Sequence, residues 1–75
     1  MSQRSHAHAA LGRAIRRTRL RQHISQEELG FRAGLHRTYV GGIERGEKNP
    51  SFENLMRIAH ALSVPASDLL REAER

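Results

Sequence analysis

The feature that most restricts this chain is a pair of two-turn apolar stripes separated by one glycine. Leu29 and Ala33 form the first stripe, Gly34 follows at once, and Val40 and Ile43 form the second. Apolar residues spaced by three and four share one face of an α-helix. Isolated helices shorter than ~12–15 residues are marginal in water, so both must pack on the rest of the chain. Ser25-Gln26-Glu27-Glu28 reads as a capping box that opens the first of them, with the Ser25 hydroxyl accepting from the third amide and Glu28 reaching back. Gly34 closes it, because glycine adopts positive φ without a Cβ penalty. His36 or Arg37 opens the second helix, and Gly46 stops it.

The flanking sequence supplies the packing partners. A first helix is expected from about His8 to His23, with Leu11, Ala14, Ile15, Thr18 and Gln22 on one stripe. Arg13, Arg16 and Arg17 point the other way, and Arg19 lies at the edge of the stripe. Residues 1–7 carry no apolar period and are expected to be a flexible N-terminus. The pair His6 and His8 is read as part of that terminus, not as a metal site. After the polar loop Glu47-Lys48-Asn49-Pro50, Ser51 caps a fourth helix with Phe52, Leu55, Ile58, Ala59 and Leu62 inward. Ser63-Val64-Pro65 breaks it. Pro65 is placed as the first residue of a fifth helix anchored by Leu69 and Leu70. Strand-type alternation is nowhere present. The prediction is an all-α domain of five helices over residues 8–73.

Charge and composition narrow the function. Seventy-five residues allow one small domain, and a chain this short buries only about 60% of its unfolded surface. A deep enclosed catalytic pocket is therefore not expected. Thirteen basic residues, twelve of them arginine, stand against eight acidic ones for a net charge of +5. The imbalance is concentrated in residues 1–23, which hold six arginines and no acid. Such a distribution favours an anionic partner. Cysteine is absent, which suits a reducing, cytoplasmic setting and removes thiol chemistry. No apolar run approaches the ~18 residues of a membrane span, so no membrane partner is expected. Walker, G-x-G-x-x-G and H-E-x-x-H motifs are missing, and adjacent Glu27 and Glu28 diverge on a helix. The expectation is no enzyme, no cofactor and no metal.

A tight pair of short helices can present its second member to a DNA major groove about 12 Å wide. Its opening turn would hold His36, Arg37, Thr38 and Tyr39. The motifs Ser25-Gln26-Glu27-Glu28-Leu29, Ala33-Gly34-Leu35, Arg37-Thr38-Tyr39-Val40, Ile43-Glu44-Arg45-Gly46 and Asn49-Pro50-Ser51 occur here in order. Together they resemble the phage-repressor/Cro-like helix-turn-helix family, also called the xenobiotic-response-element family. The resemblance covers about residues 9–71, with Ala61-Leu62-Ser63-Val64-Pro65 similar to the family's entry to helix five. Arg-Thr-Tyr-Val followed by Ile-Glu-Arg-Gly also resembles the controller proteins of restriction–modification systems.

The resemblance implies a lambda-repressor-like fold and roles for matching positions. Arg37 and Thr38 fall at base-reading positions, where arginine donates two bonds to guanine and threonine meets a thymine methyl. A phosphate contact is the other reading of Arg37. His36, grouped with them, has three open roles: helix cap, phosphate ligand or solvated side chain. Gln26, Tyr39, Arg45, Lys48, Asn49 and Ser51 are expected along the DNA backbone, aided by free amides at helix N-termini. Gln26 could instead add a second cap, and Tyr39 could be a half-buried ring between helices. Glu44 matches a glutamate that the family pairs with an arginine of helix one, here Arg19, to fix helix three. Gly41 and Gly42 depart from good helix chemistry and cost roughly 1 kcal/mol each relative to alanine. Either they let the backbone approach the groove or they are merely tolerated.

The implied function is a sequence-specific regulator that binds palindromic double-stranded DNA as a homodimer. No effector domain fits in this length, so no small-molecule effector is expected and dimer contacts fall on helices four and five, at Met56, His60 and Leu70. Arg13, Arg16 and Arg17 are expected to raise the long-range positive potential without touching DNA. The competing reading is an antitoxin-type protein-interaction module that also binds DNA. A membrane-surface helix ranks third, because helix one lacks the bulky apolar face it needs.

Overall fold

The computed structural model describes residues 3–75, and side chains from residue 7 onward. Five helices follow one another: α1 (Gln3–Arg21), α2 (Gln26–Ala33), α3 (Arg37–Glu44), α4 (Phe52–Ala61) and α5 (Ala66–Ala73). Among the described residues there is no strand. The five-helix, all-α class is therefore as the sequence predicts.

Each short helix begins where a side chain takes over an orphan amide. Ser25 Oγ accepts from the Glu28 N–H at 2.9 Å, and Ser51 Oγ accepts from the Asn54 N–H at 3.1 Å. The expected return arm of the capping box is not made, because Glu28 instead accepts from Arg32 Nε one turn on, at 2.7 Å. Gly34 stands at φ 73°, and its N–H and that of Leu35 close α2 onto Phe31 and Gly30 carbonyls. Pro65 sits one position earlier than expected. It is the N-cap of α5, not its first residue, with the extended ψ of 144° that a cap adopts.

α1 extends further toward the N-terminus than its apolar stripe. It starts at Gln3, five residues before the expected His8, so residues 3–7 of the proposed flexible segment are helical. Nothing in Gln3-Arg4-Ser5-His6-Ala7 breaks a helix, and once nucleated each added residue gains a backbone bond. Residues 1 and 2 of that segment, and the His6 side chain, lie outside the described residues. At its other end α1 stops at Arg21, two residues short of the expected His23. His23 turns left-handed at φ 59°, and Ile24 N donates back to Arg19 O.

The core lies where the helices converge. Ile15, Leu29, Val40, Ile43, Ile58, Leu62 and Leu69 are fully buried. α1 packs on α3 and α5, α2 on α3 and α4, and α4 on α5. Three residues expected inward are not. Phe52 is 77% exposed, and the inward face of α4 is taken by Leu55, Ile58, Ala59 and Ala61. Leu70 is 46% exposed, since Leu69 takes the single inward position of α5. Gln22 is exposed past the end of α1, where its amide donates to Leu62 O at 2.7 Å and ties α1 to the close of α4.

One close approach has no marker in the sequence pattern. A Cβ on Gly12 would fall 2.7 Å from Glu44 O and collide with the carbonyl of Ile43. α1 therefore crosses directly over the C-terminal end of α3, backbone to backbone. That crossing places Arg19, two turns further on, beside Glu44.

Candidate nucleic-acid interface

α3 offers its opening turn to solvent and its remaining turns to the protein. His36, Arg37 and Thr38 are exposed, whereas Val40 through Glu44 are buried. The alternatives left open for His36 narrow here: its Nδ1 accepts from the Thr38 N–H at 3.0 Å, so the imidazole caps α3. That bond uses the lone pair of Nδ1. Arg37 is nearly free. Its Nη1 lies 3.6 Å from Glu27 Oε2, both side chains largely in water. An exposed pair of this kind is worth under ~1 kcal/mol and can be given up to another anion.

The opposite end of α3 is held firmly. Arg19 Nε donates to Glu44 Oε2 at 2.7 Å and Nη2 to Oε1 at 2.9 Å, a bidentate pair with side-chain exposures of 8% and 2%. Arg19 Nη1 also donates to Ile24 O at 2.9 Å. These bonds to Glu44 hold the guanidinium even more firmly protonated than an ordinary arginine. Burial opposes that shift, and the Glu44 charge adds to it. Every buried side-chain polar atom among the described residues has a partner.

Glu44 also reaches α2. Gln26 Nε2 donates to Glu44 Oε1 at 3.0 Å. A carboxylate accepts only, so this bond fixes which way the Gln26 amide faces. A Cβ on Gly41 would stand 3.4 Å from the Gln26 carbonyl oxygen and 3.1 Å from Arg45 Nη1. The two glycines of α3 thus sit under side chains. Gly41 lies beneath Gln26 and Arg45, and a Cβ on Gly42 would be 2.8 Å from Lys48 Cγ. An alanine at Gly42 would have to displace the Lys48 stem.

The loop and α4 complete the face. Lys48, Asn49 and Ser51 are exposed. Arg45 pairs with Glu47 at 3.0 and 3.2 Å, and this neighbour holds the Glu47 carboxyl below the usual carboxylate range. Tyr39 is half-buried between helices, with its hydroxyl accepting from Asn54 Nδ2 at 3.1 Å. Asn54 was not singled out from the sequence. Its signal is its place as the third residue of α4, one turn beyond the Ser51 cap. The structure thus brings His36, Arg37, Thr38, Gln26, Tyr39, Arg45 and Lys48 around α3. Met56, His60 and Leu70 lie exposed on α4 and α5. Phe52 joins Met56 and His60 at four-residue spacing, extending an apolar stripe along α4.

Chemically this face gathers the exposed side chains of Arg37, Arg45 and Lys48 around α3. Among the described residues no cluster of three or more His, Cys, Asp or Glu side chains could hold a metal ion. Nor is any helix long and apolar enough to cross a membrane.

A family model described as helix-turn-helix matches residues 15–69. Control protein C.BamHI of Bacillus amyloliquefaciens is 47% identical over 60 residues, covering 79% of this chain and 74% of its own. Control protein C.SmaI of Serratia marcescens is 40% identical over 60 residues, covering 80% of this chain and 71% of its own. Among solved structures, the restriction-modification controller protein C.AhdI from Aeromonas hydrophila matches with a TM-score of 0.82 at 40% identity, over 83% of this chain and 94% of that one. The clp gene regulator ClgR from Corynebacterium glutamicum matches with a TM-score of 0.88 at 34% identity, over 91% and 72%.

Proposed function

Because the chain belongs to the helix-turn-helix family, in its phage-repressor-like (xenobiotic-response-element) branch, we propose that it is a DNA-binding transcriptional regulator of the restriction–modification controller type. Its DNA-binding domain spans residues 8–73, and it carries no catalytic activity. The observation that carries this reading is the asymmetry of α3: an exposed, nearly unpaired Arg37-Thr38 turn on a helix whose other end is locked in the core. Arg37 reads a guanine edge, Thr38 a thymine methyl or a base acceptor, and His36 caps the helix that presents them. Tyr39, Lys48, Asn49 and the N-terminus of α4 at Ser51 meet the phosphates on one side, Gln26 and Arg45 on the other.

One eight-residue helix reads few base pairs. A homodimer on a palindromic operator doubles the site, with half-sites about 34 Å apart. The stripe Phe52, Met56 and His60 on α4, with Leu70 on α5, supports dimerisation there. Occupancy then follows protein concentration without a small-molecule effector. The protein relatives named control proteins favour this reading over an antitoxin-type module.

The test is selection of bound sequences from random duplex DNA with the parent protein and with Arg37→Ala. The parent enriches a two-fold symmetric site, and Arg37→Ala relaxes preference at one position per half-site, worth about 1–3 kcal/mol of discrimination. An Arg37→Ala protein that selects the parent's sequence removes the base-reading role.

A further inference from the structure

The arginines of the second half of α1 are not equivalent. Arg19 is buried against Glu44. Arg17 and Arg21, on one face at four-residue spacing, converge on Glu72 of α5 at 3.2 and 3.4 Å. Burial pushes the Glu72 carboxyl up, but the guanidiniums of Arg21 and Arg17 outweigh it and hold the group below its ordinary range. Arg16 lies on the other side, one turn from Arg19. With Arg19, Gln26, Glu44 and Arg45 it lines an open polar recess of about 270 Å³.

The charges in that recess do not cancel. The Glu44 carboxylate is already engaged, accepting two bonds from Arg19 and one from Gln26. Arg45 is balanced by Glu47. Among the described residues no carboxylate comes within ion-pair distance of Arg16. The wall of the recess therefore carries a solvent-exposed guanidinium with no counter-ion, a planar fork suited to two phosphate oxygens. Gln26 and Arg45, on the opposite wall, overlie Gly41 of α3. An oxyanion seated there is flanked by α1, by the start of α2 and by the helix that faces the bases.

We propose that Arg16 grips a phosphate of duplex DNA, extending the backbone contact from the helix-turn-helix onto α1. The proposal rests on the DNA reading of α3. It also separates Arg16 from Arg13 and Arg17, which act only through the long-range field.

The experiment measures affinity for one duplex as a function of salt, for the parent, Arg16→Gln, Arg16→Lys, Arg13→Gln and Arg17→Gln. A lost phosphate contact lowers the slope of log affinity against log salt by about one unit per protomer, whereas a charge more than a Debye length of ~8–10 Å from the duplex is largely screened and changes it far less. The expected result is a reduced slope for Arg16→Gln and a parental slope for Arg16→Lys, Arg13→Gln and Arg17→Gln. An Arg16→Gln slope equal to the parent's overturns the proposal, as does an equal reduction from Arg13→Gln. The slope is measurable on any duplex, so the result for Arg16 stands apart from the failure of base reading that Arg37→Ala would expose.

Discussion

Two Arg–Glu pairs bracket α3, and they differ in almost everything but chemistry. Arg19–Glu44, at its C-terminal end, is bidentate, nearly dry and joined by Gln26. Arg37–Glu27, at its N-terminal end, is a single 3.6 Å contact in water. The first holds α3 against α1. The second costs little to break, so Arg37 is free to leave Glu27 for another partner, which suits the base-reading role proposed for it. A reading head needs both: a root that does not move and a tip that is not committed.

The comparison is broken most severely at the root. Arg19→Met leaves Glu44 buried without its main partner and is expected to cost about 3–5 kcal/mol, read from denaturant unfolding. If stability and operator affinity both survive, the pair is not what positions α3. Gly12→Ala attacks the same root from the other side, since its Cβ meets backbone that cannot rotate away. Overpacking of this kind is expected to cost about 1–3 kcal/mol in the same assay. At the tip, Arg37→Ala is expected to change stability by less than about 0.5 kcal/mol while it alters base preference, so the two ends separate in two measurements. Lys48→Ala should weaken binding to all sequences alike and flatten the salt slope by about one unit per protomer.

The smallest effect is at the α1–α5 surface. The Glu72 carboxyl is held low in the folded chain, so its contribution is present above its unfolded pKa and is lost as pH falls through the lower folded value. Thermal melts of Glu72→Gln and the parent should therefore differ slightly near neutrality. The two should converge in acid, below the ordinary carboxylate range.

Much of this was readable along the chain, and unevenly so. Ser25, Gly34 and Ser51 announced helix boundaries because caps and left-handed turns depend on residues next to each other. Phe52 and Leu70 were misplaced inward because a short helix has several apolar positions and room for only one or two against the core. Gly12 gave no signal, since an isolated glycine in a helical stretch looks like tolerance until another backbone is seen against it. Gln26 was assigned to phosphate without its bond to Glu44, which joins residues eighteen positions apart.

The sequence alone determined the five helices, the caps at Ser25 and Ser51 and the basic first segment, because caps, apolar period and charge are local properties, and its ordered motifs carried the resemblance to the family. Only the tertiary structure decided which charges are spent and which are free. Whether an arginine meets a carboxylate depends on how helices cross, and here the bare backbone at Gly12 lets α1 close on α3 so that Arg19 is buried while Arg16 and Arg37 remain facing water.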